Sequence, residues 1–305
     1  MLRLLQSNQP AAWVIVPLTA ALLVLCRVMG MQDVTWTQEG WLSAAAALVT
    51  AWWIHRMHFE SGMRTRPTLL PSWSWVVLSA PWWFDAPPSA WCAMATAVLA
   101  LRMALRLRAT ADGGHPCFGL GLALGVSTLL HPAAWTLALA MLVVLVSLRP
   151  FQPGETLSLV MGLAGPWGVV QVGLWWVQGS VGFPDWGFQP SVSARVVHAL
   201  WLVPLLVGSA MRVRSFTRAT AQQRFSRQVT QWWAMAILAL AVVGLLSASD
   251  TGEGQAALNA ELWLPALAHL GAWSLGWCMP PGWSGSRWVP VLLLLTAGIL
   301  AFFGG

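Results

Sequence analysis

The amino-acid sequence predicts an all-α fold, a polytopic bundle of transmembrane helices, on three observations. Hydrophobic residues make up 57% of the chain and charged residues only 9%, against roughly 25% charged in an ordinary soluble domain, so it cannot cover itself with a water-compatible surface. Its apolar runs are apolar on every side, whereas the strands of a membrane barrel alternate apolar and polar residues over about ten positions. The few charges gather in short intervals between those runs. With no interval long enough to insert a soluble domain, residues 1–305 read as a single transmembrane helical domain.

Arg3 and the helix-starting Ser7-Asn8-Gln9-Pro10 lead into a first span at about 11–29. No small-residue cleavage site follows it, so it reads as a retained anchor. Asp33 and Glu39 mark the next loop. A second span, about 40–54, ends at His55-Arg56 and a basic stretch with Arg64 and Arg66. The third, about 69–84, ends in Trp82-Trp83-Phe84-Asp85 before Pro87-Pro88, and the fourth, about 89–105, closes on Arg102, Arg106 and Arg108. Spans five and six form a hairpin over 117–151, broken once at His131-Pro132 and stopped by Arg149-Pro150. Each arm is near the lower limit for crossing a hydrocarbon core of about 30 Å. Gly119, Gly121 and Gly125 give the first arm a small-residue face, with Gly121 and Gly125 at GxxxG spacing, so a neighbouring helix is expected to approach closely there.

The seventh span, about 156–178, contains Gly162, Gly165-Pro166 and Gly168 and is expected to break near Pro166, because proline lacks the donor that a helix interior requires. Further spans fit at about 195–211, 229–248, 261–278 and 288–303, which brings the count to about eleven.

The net charge of +6 is carried by sixteen arginines and no lysine. Eleven spans with the N terminus inside place fourteen of those arginines in or beside inner loops and leave only Arg27 and Arg195 outside, while seven of the ten carboxylates fall outside. The positive-inside rule then makes the N terminus cytoplasmic. The same distribution explains a pI near 10.8 without a nucleic-acid partner. The inner loop at 212–227 has the charge to hold anionic lipid headgroups as well as to set topology. Four cysteines, Cys26, Cys92, Cys117 and Cys278, show no CxxC spacing and read as free thiols.

Candidate chemistry lies mainly on the outer face. Asp33 and Glu39 occupy the first external loop, where a membrane enzyme acting on a lipid-linked donor would place a general base, and where ordinary solvated carboxylates also belong. Asp85 (WWFDAPP) and Asp185 (FPDWGF) sit among aromatics and prolines. A cleft combining them with Trp82, Trp83 or Trp186 would suit a sugar ring, although tryptophan is enriched at membrane interfaces in any case. A diphosphate carrier would need positive charge there, which makes Arg27 and Arg195 the candidate phosphate contacts. The histidines are scattered: His55 and His58 lie at an inner end, His131 and His198 near outer ends, and His269 inside the tenth span. Nothing resembles HExxH, and neither a metal site nor a cofactor is expected. His131, before a proline, reads as a helix-end hydrogen bonder.

SNQPAAWVIVPLTAALL, RPTLLPSWSWVVLSA and FGLGLALGVSTLLHPAAWTLALAMLVVLVSLRPF, followed by the seventh span, resemble an uncharacterised family of bacterial polytopic inner-membrane proteins. The resemblance covers about the first 185 residues, implies a multi-pass protein of the bacterial inner membrane, and carries over no catalytic residue. Some members are labelled beta-carotene monooxygenases, but carotenoid cleavage needs iron held by several histidines at one site, and no such set is visible here. The chain is more distantly similar to GT-C-type membrane glycosyltransferases, which also have many spans, an inside N terminus and an acidic residue in the first external loop. It departs from them in that loop, which runs only from about Gly30 to Glu39.

Three functional readings stay open. The first is a GT-C-like protein handling a polyprenyl-phosphate-linked glycan or another lipid-linked envelope precursor, with or without catalysis. The second is a non-enzymatic scaffold or accessory subunit, bound to a membrane protein partner, in a cell-envelope assembly complex. The third is a transporter, for which the paired broken helices that transporters often show are missing.

Overall fold

A computed structural model describes residues 10–30, 38–60, 69–84, 87–107, 114–131, 134–148, 152–179, 225–226, 228–237 and 297. Among them the protein is all-helical, with no strand. The helices are α1 (Pro10–Gly30), α2 (Gln38–Glu60), α3 (Leu70–Ser79), α4 (Pro88–Arg106), α5 (Gly114–Leu130), α6 (Trp135–Leu148) and α7 (Pro153–Gln178). Residues 228–237 are helical too. Two helices among the described residues, α4 and α7, are long and apolar enough to cross a membrane, while the apolar stretches Val14–Cys26, His115–Leu130 and Trp135–Leu145 are shorter. The spans expected at 195–211, 261–278 and 288–303 lie outside the described residues apart from Ala297.

The chain divides into two compact units, with the boundary inside α4 after Trp91. The first contains α1, α2 and α3 and is organised around α3, LPSWSWVVLS, all ten residues of which are buried. A helix covered on every side has only the protein to supply partners for its polar groups, and the two indoles of α3 find them. The Trp73 indole Nε1 donates to Thr19 Oγ1 of α1 at 3.1 Å, and that hydroxyl donates onward to the Ile15 carbonyl at 2.7 Å. On the other side, the Trp75 Nε1 donates to the Ala47 carbonyl of α2 at 2.8 Å. Ala44, Ala46, Ala47 and Ala51 are all buried on α2, and their small side chains leave room for the indoles. Trp75 also meets Trp91 edge to face, with ring centroids 6.0 Å apart and planes at 79°, an arrangement that places the positive edge of one ring on the negative face of the other. Past Ser79 the chain tightens into a 3₁₀ turn at Ala80–Trp82, so the third span is a short helix and a turn instead of one helix over 69–84.

In the second unit α5 and α7 meet through missing side chains. A Cβ at Gly121 would run into the Leu159 carbonyl and stand 2.9 Å from the Leu163 nitrogen; one at Gly162 would meet the Phe118 carbonyl and the Leu122 nitrogen. Gly125 lies over the Pro166 ring, with Cγ and Cδ at 3.0 and 3.1 Å from the same construction. The expected close approach is therefore present, between α5 and α7. Farther along, the Trp167 Nε1 donates to Thr128 Oγ1 at 3.0 Å, and Trp135 of α6 packs on Trp167 with centroids 6.2 Å apart. Ser127 Oγ ties α5 to α4 by donating to the Ala93 carbonyl at 2.8 Å.

The expected break in the seventh span is absent: α7 is continuous from Pro153 to Gln178, with Pro166 inside it. Proline removes one donor, its own, and its ring is usually a steric problem within the helix. The carbonyl that such a ring crowds is that of Gly162 in the same helix; the outer side of the ring lies against Gly125, where α5 carries no side chain. Circular dichroism of a Pro166→Ala variant should accordingly show helix content unchanged from wild type within error, because no broken segment is available to re-form.

The ends of α7 are set by local chemistry. Pro153 stands in the first turn after an extended Gln152, and Gly179 closes the helix in the left-handed region at φ 67°, its N–H donating to the Trp175 carbonyl at 2.9 Å. The break in the hairpin falls where expected. His131 N–H completes α5 on the Ser127 carbonyl at 3.0 Å, and the His131 carbonyl accepts from Ala134 N–H at 3.1 Å as α6 begins.

Candidate functional site

The outer-face candidates are distributed as follows. Asp33, Asp85, Asp185, Trp186, Arg195, His198 and His269 lie outside the described residues. Arg27 belongs to the last turn of α1. Glu39 is exposed in the first turn of α2, where its charge complements the positive end of the helix dipole. Trp82 and Trp83 are both buried, at 8% and 1% exposure, and the Trp83 indole donates to Ser79 Oγ at 3.0 Å. Of the carboxylates named from sequence, only Glu39 is described, so the structure brings no two of them together. Gly40 beside it is covered by the Phe84 ring.

No group of three or more His, Cys, Asp or Glu among the described residues could hold a metal ion. Cys26 and Cys92 are half-buried and Cys117 is buried, and none of the three is in a disulfide. A void of about 10 Å³ in the second unit, lined by Leu107, Leu120, Met141 and Leu145 among others, is apolar and at most about the size of one water, so it is a packing gap and not a ligand site.

His131 is fully buried just past the end of α5. Loss of hydration pushes its imidazole down from 6.5 to about 4, because the charged form is the one that water would have stabilised. A histidine held neutral in the fold contributes its full stability above about 6.5, and that contribution is lost as the pH falls from about 6.5 towards 4. A thermal-unfolding series in detergent should show Tm declining over this window, with a shallower decline for His131→Gln.

The surface feature that sequence reading passed over is the flank of α7. Only Glu155, Leu159 and Gly162 of its 26 residues are buried. Leu157, Met161, Val169 and Val172 are exposed, and Trp176 and Val177 reach 81% and 80% exposure. Residues 156–178 carry no charge, and at about 1.5 Å per residue the helix is about 39 Å long, enough for a hydrocarbon core of about 30 Å. Gly165, Gly168 and Gly173 differ from the glycines under α5: a side chain added at any of them would meet nothing among the described residues within 4 Å. Gly165 and Gly168, expected to weaken the helix, stand instead on the sparsely covered side of α7. Chemically, such a surface can associate with apolar partners and cannot transfer protons or hold ions. No family model, curated protein or solved structure matches the chain.

Proposed function

We propose that this chain is a multi-pass protein of the bacterial inner membrane, with eleven spans and a cytoplasmic N terminus, that serves as a non-enzymatic scaffold subunit in a cell-envelope assembly. In this reading α7 receives a transmembrane helix of a partner protein. The observation that carries it is the set of outward glycines on α7. A glycine inside a helix costs roughly 0.5–1 kcal/mol relative to alanine, and three other helical glycines among the described residues, Gly121, Gly125 and Gly162, each admit a neighbouring backbone. Acyl chains gain nothing from a missing Cβ, whereas a second helix gains close packing. Gly165, Gly168 and Gly173 have no such neighbour among the described residues, and in this reading a helix from a partner supplies the reason for them.

Photo-crosslinking from benzoylphenylalanine at Val169, in native membranes, tests this reading. The expected result is an adduct with one protein of defined mass that disappears when Gly168→Leu is added while the protein itself still folds. Adducts with lipid alone would overturn it.

The topology rests on the arginine split. Single cysteines placed between 212 and 227, on a background lacking the native cysteines, should be labelled from the cytoplasmic side only. Labelling from outside would reverse the assignment.

A further inference from the structure

We draw no further inference here: the strongest candidate, the apolar face that α7 leaves exposed from Leu157 to Val177, belongs to the surface already described, and nothing among the described residues shows what else covers it.

Discussion

Replacing Gly121 with leucine should destabilise the protein by about 3 kcal/mol or more, at the upper end of what overpacking costs. The obstruction is backbone and not a flexible side chain: the first atom added at Gly121 would collide with the Leu159 carbonyl and crowd the Leu163 nitrogen. Neither can move without shifting α7 as a whole. Separating the helices also breaks the packing at Gly125 and Gly162 and strains the Trp167 to Thr128 hydrogen bond, so the loss spreads along the interface. A shift of 3 kcal/mol changes the folded-to-unfolded ratio by more than about 100-fold. Thermal unfolding in detergent, or the yield of monodisperse protein, would report it. Gly165→Ala is the control, since the added methyl meets no atom among the described residues; that variant should be unchanged or more stable by up to about 1 kcal/mol. Equal losses in the two variants would mean that the close approach of α5 and α7 is not what these glycines serve.

Truncating Trp75 to alanine should cost about 3–5 kcal/mol, as expected for removing a large ring from a packed interior. The side chain is fully buried, it supplies one half of the pair with Trp91, and its Nε1 is bonded to the Ala47 carbonyl of α2. Trp75→Phe separates two of those contributions. It keeps an aromatic ring against Trp91 and loses the hydrogen bond, for which about 1 kcal/mol is the usual net value. The alanine variant should therefore unfold at a clearly lower temperature than the phenylalanine variant. If the two were equally damaged, the indole hydrogen bond would dominate over packing.

Much of the helical layout was legible from hydropathy and from residues that punctuate helices. The span read at 89–105 is α4 at Pro88–Arg106, and the hairpin broken at His131-Pro132 is α5 followed by α6. Gly121 and Gly125 announced a close neighbour, and α7 is that neighbour. Hydropathy states that a segment avoids water, but it does not distinguish lipid from protein as the replacement. Hence the segments of α3 and α7 are both expected as spans, although one helix is enclosed on all sides and the other is almost bare. Tryptophan shows the same ambiguity. Trp82-Trp83 and Trp175-Trp176 are equivalent pairs in the chain, yet the first pair is buried and the second is exposed. Pro166 misled for a different reason. Its ring packs on Gly125, 41 positions earlier in the chain, a contact that no reading of the seventh span by itself shows. The outer carboxylates and arginines offered no such test, since only Glu39 and the backbone of Arg27 fall among the described residues.

The enclosure of α3 also bears on how the protein is made. Ten residues at about 1.5 Å each span about 15 Å, half of a hydrocarbon core, and three of the ten are serines. Such a segment has little drive to leave an insertion channel for lipid by itself. What it lacks in affinity for acyl chains is supplied by acceptors on earlier products of synthesis, the Thr19 hydroxyl and the Ala47 carbonyl. Both are translated before Trp73 and Trp75, so in the proposed membrane reading α1 and α2 can wait at the channel and take up α3 as it emerges. If the chain enters a bilayer as proposed, entry of this helix is a docking event between nascent segments, and a ribosome-bound chain lacking α1 and α2 should leave α3 outside the bilayer.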